Sequence, residues 1–139
     1  MKEKLIEIII GASLTIATYF LGGWDIALQT LMVMIVLDYA TGFLKGLHDK
    51  NLSSAVGAKG IIKKVGYLII VAVATILDNI LLDSLGALRM LVIYFFIANE
   101  GISIVENWIS LGLPVPPIVK NTLIQIKNKS NQESGDKNE

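Results

Sequence analysis

Five charged residues interrupt the apolar stretches that follow the first one in this chain: Asp38, Asp78, Arg89, Glu100 and Glu106. A charged side chain at the centre of a bilayer costs about 2.5–3.5 kcal/mol on insertion scales, so in a membrane protein such residues usually face a partner, a water-filled cavity or the interface. Asp38 is the hardest to place at an interface, because it lies well inside its stretch. The chemistry open to these residues is pairing between helices, or the lining of a polar lumen when several subunits assemble.

Other polar residues share helix faces with these charges. Thr41 and Lys45 follow Asp38 by three and seven residues, a spacing that puts all three on one helix face. A second polar stripe runs through the last apolar stretch at helical spacing, so this part of the chain is amphipathic. The candidate residues for a polar lumen or for helix pairing are Asp38, Thr41, Asn99, Glu100, Ser103, Glu106 and Asn107.

The same residues do not make a catalytic set. Glu100 and Glu106 are six residues apart, which places them on different faces of a helix. The chain has no cysteine and a single histidine, His48, so thiolate chemistry and a multi-histidine metal site are excluded. Its net charge of zero provides no basic field for nucleic acid. The sequence therefore predicts a protein that is not an enzyme and that binds no cofactor, metal or nucleic acid.

Composition and charge placement indicate a membrane protein. The chain is 53% hydrophobic, with a mean hydropathy of +0.63 over 139 residues. Eleven of its twelve basic residues lie before the first apolar stretch, between the second and third, or after the last. Lys and Arg in short loops stay on the cytoplasmic side. We therefore expect both termini and the middle loop in the cytoplasm; the lysines of that basic loop are Lys45, Lys50, Lys59, Lys63 and Lys64.

The apolar stretches predict an all-α integral membrane protein with four transmembrane helices. Three crossings, with the last stretch lying on the membrane surface, are the alternative, and the distribution of lysines favours four. The expected spans are residues 5–22, 26–44, 65–82 and 85–111. The first is interpreted as a retained span rather than a signal peptide, since it contains acidic residues and no clear cleavage site follows. The last continues as a helix beyond its apolar part until Gly112, and the prolines that follow prevent it from resuming. Asp78 and Arg89 are expected near the outer headgroups.

Small residues and the tail complete the prediction. Small side chains let helices approach closely in a membrane, and the candidate helix-packing residues are Gly11, Ala12, Gly42 and Gly66. Residues 1–125 are expected to form the membrane domain. Residues 126–139 are rich in Lys, Asn, Ser, Glu and Asp, a composition that predicts a disordered cytoplasmic tail.

Several short motifs over about residues 25–125 resemble a known family. In the first half they are Leu37-Asp38 with Gly42, Leu52-Ser53-Ser54, Gly60 and Lys63-Lys64. In the second half they are Leu77-Asp78, Arg89, Asn99-Glu100, Ile102-Ser103, Glu106-Asn107 and Gly112-Leu113-Pro114-Val115-Pro116. Together they resemble the toxin-secretion/phage-lysis holins of phages and some Gram-positive bacteria, with the run from Asn99 to Pro116 the most specific part.

The resemblance implies a small protein that accumulates in the cytoplasmic membrane of a bacterial host. Such proteins form homo-oligomers and open lesions at a set time, so that a cytosolic cell-wall hydrolase or a toxin escapes. The implied partners are the lipid bilayer, further copies of the chain, an antiholin, and the hydrolase or toxin. Two alternatives stay open on the sequence: an antiholin-type regulator that delays a holin, and a small membrane transporter or scaffold.

Overall fold

The chain folds into long helices joined by short connections. The computed structural model describes residues 1–82, 86–119, 121–122 and 125, and these residues contain no strand. The long helices within them are α1 (Lys2–Phe20), α2 (Ile26–His48), α3 (Ser54–Leu77) and α4 (Ala87–Ser110). A π-helical turn, Asp78–Leu82, continues α3. The described residues therefore agree with the predicted all-α class.

Helices α2, α3 and α4 form the packed part of the molecule. Asp25, just before α2, is hydrogen-bonded to Arg89 in the first turn of α4, and Asp38 meets Asn107 further along the same two helices. Helices α2 and α4 are thus parallel. Helix α3 runs in the opposite direction, because its Asp78 end lies at the start of α4. The buried apolar cluster between them comprises Ala27, Leu31, Tyr67, Val71, Ile93 and Phe96.

The same three helices are long and apolar enough to cross a membrane. They span Ile26–His48, Ser54–Leu81 and Ala87–Ser110, with mean hydropathies of 1.6, 2.0 and 1.6. At about 1.5 Å per residue, 23 residues reach about 34 Å, which exceeds the hydrocarbon thickness of about 30 Å. Their outward surfaces are apolar: Val36 and Phe95, for example, are 63% and 65% exposed. Apolar side chains outside and charged ones inside suit a lipid solvent.

Helix α1 stands apart from this bundle. It packs lightly against α3, and none of its residues is buried. Two lysines and two glutamates in its first six residues make it less apolar than the other helices, and it is not among the helices that meet the length and composition of a span. The structure thus shows three helices of membrane-crossing character where the sequence predicted four.

The connection between α2 and α3 is shorter than the sequence predicted. Helix α2 extends to His48 and α3 begins at Ser54, so the expected loop over residues 45–64 is reduced to residues 49–53. Gly57 and Gly60 suggested a loop, but each is a helical residue here. The apolar periodicity after Ser53 is sufficient to carry the helix through both glycines. Four of the five lysines assigned to the loop are therefore helical: Lys45 in α2, and Lys59, Lys63 and Lys64 in α3.

The last predicted span is helical through its polar half, as the sequence predicted. Helix α4 continues through the amphipathic region to Ser110, and Gly112 follows with a φ of 72°. A residue with positive φ ends a helix, and glycine adopts that conformation without steric cost. The predicted tail over residues 126–139 lies outside the described residues.

Candidate functional site

An ion triad joins the three packed helices: Asp38 on α2, Lys64 on α3 and Glu100 on α4. Lys64 Nζ donates to Asp38 Oδ2 at 2.8 Å and also to Glu100 Oε2. The side chains of Lys64, Asp38 and Glu100 are 12%, 14% and 1% exposed. One ammonium thus pairs with carboxylates on two neighbouring helices, and each helix is joined to another by a buried ion pair.

The depth of the ion triad follows from helix geometry. Each member lies ten residues from a helix end: Asp38 from His48, Lys64 from Ser54, and Glu100 from Ser110. Because α3 runs antiparallel to the others, these three ends lie at the same end of the bundle. Ten residues correspond to about 15 Å, which is about half the hydrocarbon thickness. In a bilayer the triad would lie near the midplane, where an unpaired charge is most costly.

Asn107 and Thr41 extend the triad by hydrogen bonds. Asn107 Nδ2 donates to Asp38 Oδ1 at 3.3 Å and to Thr41 Oγ1 at 3.2 Å. The Thr41 hydroxyl in turn donates to the backbone carbonyl of Asp38 at 3.0 Å. Gly42 lies against this contact, since a Cβ there would lie 3.6 Å from Asn107 Nδ2, an ordinary van der Waals distance. These bonds fix the Asp38 carboxylate towards α4.

A second polar contact lies beside the triad. Asn99 Nδ2 donates to the Tyr67 hydroxyl at 2.7 Å, and the Tyr67 ring stacks on Phe96 with centroids 4.0 Å apart. Lys64 Nζ is 5.9 Å from the centroid of the same Tyr67 ring, within range of a cation–π interaction. The ring thus separates the polar layer from the apolar core.

A different cluster closes the opposite end of the bundle around Arg89. Its guanidinium bonds Asp25 at 2.6 Å and the backbone carbonyls of Leu21 and Gly23 at 2.5 and 3.2 Å. Asp78 accepts from the backbone N–H of Arg89 at 2.7 Å and so caps α4. Asp78 and Arg89 are 2% and 5% exposed, so both are buried in protein at this end of the bundle.

The Arg89 cluster also sets the charge state of Asp25. The hydrogen bond from Arg89 is the main cause that lowers the pKa of Asp25 from its ordinary value of 3.8, while burial acts in the opposite direction. Asp25 also accepts from the backbone N–H of Leu28 at 2.9 Å, which caps the start of α2. One carboxylate therefore serves both the helix start and the contact with α4.

The structure brings together most of the polar residues predicted for a lumen or for pairing. Asp38, Thr41, Glu100 and Asn107 belong to one hydrogen-bonded group, and Asn99 lies beside it. Ser103 lines a cavity that reaches the same group. Glu106 lies on the exposed side of α4 instead.

The predicted packing glycines divide into two groups. Gly42 lies against α4, as described. A Cβ at Gly11 or at Gly66 would have no heavy atom within 4 Å, and Ala12 is exposed. Within a single chain these three residues leave their helix faces unpacked.

The sequence reasoning missed two partners. Lys64 was assigned to a loop, yet it precedes Tyr67, Val71 and Asp78 at spacings of three, seven and fourteen residues, which is the buried face of α3. That periodicity was the signal that places Lys64 inside the bundle. Asp25 falls between the predicted spans 5–22 and 26–44, and no local pattern identifies Arg89, which is 64 residues away in the chain, as its partner.

The ion triad is an electrostatic site that links three helices. Among the described residues, no group of three His, Cys, Asp or Glu side chains could hold a metal ion. The ion triad presents charges at membrane depth, held by hydrogen bonds. What the arrangement can do is hold three helices together while they stay associated, and present polar faces when they separate.

Comparison with known proteins identifies a family and several relatives. The sequence profile of the bacteriophage holin family matches residues 15–128. The chain is 47% identical over 115 residues to an uncharacterized 14.9 kDa protein in the nagH 3′ region of Clostridium perfringens, covering 83% of this chain and 87% of that protein. It is 40% identical over 115 residues to an uncharacterized protein of Listeria innocua, covering 83% and 81%.

A phage protein is also among its relatives. The chain is 33% identical over 122 residues to a probable holin of Bacillus phage phi105, covering 88% of this chain and 90% of the phage protein. No solved structure matches the chain. The profile extends from the C-terminal part of α1 to beyond α4, and the phage relative also covers most of the chain. The chain therefore belongs to the bacteriophage holin family.

Proposed function

We propose that this protein is a holin: copies of it accumulate in the bacterial cytoplasmic membrane, form homo-oligomers, and open lesions through which a cytosolic endolysin or a toxin escapes. Family membership supports the role. The observation that carries the mechanism is the ion triad, which holds three charged side chains near mid-depth of helices whose outer surface is apolar. In lipid the helices have low energy only while these three side chains are paired. If the pairs separate, the charges need contact with water.

The single chain satisfies its polar groups internally. Among the described residues, every buried side-chain nitrogen or oxygen has a hydrogen-bond partner. Such a chain can accumulate in lipid without exposing charge. If the helices separate, the ion pairs of Lys64 with Asp38 and Glu100 break, and lipid offers no hydrogen-bonding or charged group to replace them. Separation is therefore favourable only when several copies turn these faces towards a shared aqueous lumen.

The proposed topology has four crossings with both termini in the cytoplasm. The α2–α3 turn, which carries Lys50 and is flanked by Lys45, Lys59 and Lys63, is placed in the cytoplasm by the charge rule. The Arg89 cluster lies at the other end of α2, and it is therefore placed at the outer side of the membrane. Helix α1 then returns the N-terminus to the cytoplasm, where Lys2 and Lys4 lie.

The test is inducible expression in a bacterium that also contains a cytosolic cell-wall hydrolase without a signal peptide. Culture turbidity and membrane potential are followed together. A holin should give abrupt, delayed clearing that needs both proteins, with the potential falling at the same moment even when the hydrolase is absent. Cultures with either protein alone are the controls for clearing. Steady growth with intact potential, while the protein is present in the membrane, would contradict the proposal and favour a regulator.

A further inference from the structure

A cavity of about 660 Å³ lies between α2, α3 and α4 and leads to the ion triad. Four glycines contribute to its wall, and we call it the glycine-lined groove: Gly42, Gly46, Gly57 and Gly60. The groove opens to the surface at the α2–α3 turn, where the lining residues Asn51, Leu52 and Ser53 are exposed. A Cβ at Gly60 would have no heavy atom within 4 Å, so the groove is open at this point.

The inner end of the groove is polar. Asp38, Lys64, Ser103 and Asn107 line it, whereas Glu100 does not. Asp38 and Lys64 retain 14% and 12% side-chain exposure and Glu100 retains 1%, which indicates that the first two are exposed towards the groove. The groove thus connects the surface at the turn with the charged centre of the bundle.

The chemistry of the inner end decides between lipid and water as occupant. An acyl chain would match the apolar wall but would end against a carboxylate and an ammonium, which is unfavourable because it offers them no hydrogen bond. Water hydrogen-bonds all four polar residues at the inner end, and the volume accommodates many water molecules. Intramembrane ionisable residues commonly face such water-filled cavities.

Lys45, Lys50, Lys59 and Lys63 surround the α2–α3 turn but are not among the described residues that line the groove. Within the groove, the charge of the inner end therefore decides which solutes follow the water. The ion triad has two carboxylates and one ammonium, a formal charge of −1 when all three are ionised. A negative site at the end of a narrow groove with apolar walls attracts cations and repels anions.

We propose that the glycine-lined groove is a water-filled vestibule that admits small cations from the cytoplasmic face to the ion triad of a single chain, before any lesion forms. This inference rests on the proposed membrane insertion, with the α2–α3 turn in the cytoplasm. The vestibule gives the triad a sided contact with the aqueous phase while the bundle is closed.

The absence of cysteine makes a single-cysteine test direct. Gly60→Cys and Ser103→Cys place a thiol on the groove wall, near its middle and near its inner end. Ile62→Cys on α3 and Val36→Cys on α2 are controls that lie outside the groove, at 71% and 63% exposure on the apolar surface. Inverted and right-side-out membrane vesicles, prepared before the membrane potential falls, are treated with membrane-impermeant methanethiosulfonate reagents.

Both groove cysteines should react in inverted vesicles and not in right-side-out ones, while the two controls stay unreactive until detergent and denaturant are added. The cationic reagent should react at least about fivefold faster than the anionic one, as expected for one nearby charge in a largely aqueous site. In the same single-cysteine chains, Asp38→Asn or Glu100→Gln should remove this preference, and two such variants guard against misfolding of one. Each charge variant is compared with its parent chain in the same membrane, so the effect of membrane surface charge on the two reaction rates cancels.

Other outcomes overturn the vestibule. Unreactive groove cysteines that label only after denaturation would mean that an acyl chain or a second copy fills the groove. Reaction of the groove cysteines in right-side-out vesicles would mean that the groove opens at the outer face of the membrane. Equal rates for the two reagents would remove cation selection. Lysis of each variant is scored separately: failed lysis with intact sided labelling would contradict the holin proposal and leave the vestibule standing.

Discussion

At the scale of single residues, Lys64 holds more of the site together than any other side chain described here. It forms both ion pairs of the triad, and neither carboxylate in those pairs has another cationic partner among the described ion pairs. Removing one partner from a buried ion pair leaves an uncompensated charge and typically costs about 3–5 kcal/mol. The two carboxylates of Asp38 and Glu100 would then face each other across the bundle.

We therefore expect Lys64→Met to destabilise the bundle by about 3 kcal/mol or more, measured by thermal unfolding in detergent, and to change the time of lysis. Lys63→Met is the matched control, because Lys63 is the exposed neighbour on the same helix. That control should cost less than about 1 kcal/mol, since its described contact is a cation–π interaction with Tyr67.

A variant without any charge in the triad distinguishes the electrostatic contribution of Lys64 to stability from its packing contribution. Asp38→Asn, Lys64→Met and Glu100→Gln together leave no buried charge, and replacing a whole buried ion group by neutral residues is often nearly neutral for stability. The triple variant should thus be more stable than Lys64→Met alone. If it is equally unstable, the loss in the single variant comes from packing, and the electrostatic account of Lys64 fails.

Gly22 is the second residue whose role the structure defines sharply. Its φ is 77°, and a Cβ there would lie 2.5 Å from Arg89 Nε and 3.2 Å from Thr75 Cγ2. Gly112 has nearly the same φ, 72°, with nothing within 4 Å of its Cβ position. Both Gly→Ala variants incur the backbone strain of about 1 kcal/mol, but only Gly22→Ala also displaces Arg89. Its melting temperature should fall further than that of Gly112→Ala; equal losses would show that Arg89 adapts freely.

At the scale of the elements, the Arg89 cluster fixes the relative positions of three chain segments. Arg89 connects the start of α4 to the α1–α2 turn, and Asp78 connects the end of α3 to the same residue. The ion triad makes the corresponding connection at mid-depth. The two polar clusters thus hold one helix arrangement at two levels, with the apolar core between them.

The contact between Asp25 and Arg89 predicts a pH dependence. Arg89 lowers the pKa of Asp25 below 3.8, so the contact contributes stability above that pH and loses it as pH falls through the lower, folded-state pKa. Asp25→Asn keeps an oxygen that can cap α2 and removes the charge. On going from pH 6 to pH 3, the native chain should lose more stability than Asp25→Asn, by less than about 1 kcal/mol because Asp25 is partly exposed. Parallel melting curves at both pH values would contradict this.

The sequence was informative about elements and less so about partners. Long apolar runs predicted α2 and α4 closely, since helix length and hydropathy are local properties. The start of α3 was misplaced, because Gly57, Gly60 and the lysines around them have the composition of a loop. Only burial of one face by two other helices explains why Lys64 lies inside. Pairings such as Asp25 with Arg89 depend on how α2 and α4 meet, which no local pattern encodes.

At the scale of the whole molecule, the distribution of polarity is reversed relative to a soluble protein. The ion triad and the Asp78–Arg89 contact turn charged side chains inward at two levels, and the large apolar side chains lie mostly outside. In water this arrangement would be unstable, because exposed apolar area is costly. In lipid it is favourable, and it makes the closed state of one chain self-sufficient. Copies can therefore accumulate before any of them needs a partner.

Helix α1 is the part of the molecule that this closed state does not need. None of its residues is buried, and a cavity of about 600 Å³ separates part of it from α3 near Thr75. Deleting residues 1–20 retains the Leu21 and Gly23 carbonyls that Arg89 binds. The shortened chain should then keep the melting temperature of the full chain in detergent to within a few degrees, because no packed contact of the α2–α4 bundle is removed.

The orientation of the shortened chain follows from the lysines that remain. Lys45, Lys50, Lys59 and Lys63 still lie around the α2–α3 turn, and they should keep that turn in the cytoplasm while the new N-terminus lies outside. Sided labelling of single cysteines at the N-terminus and at position 50 measures this in vesicles, with the full chain as control. An inverted shortened chain would show that α1, with Lys2 and Lys4, sets the topology. A shortened chain that melts much earlier would show instead that α1 belongs to the packed bundle.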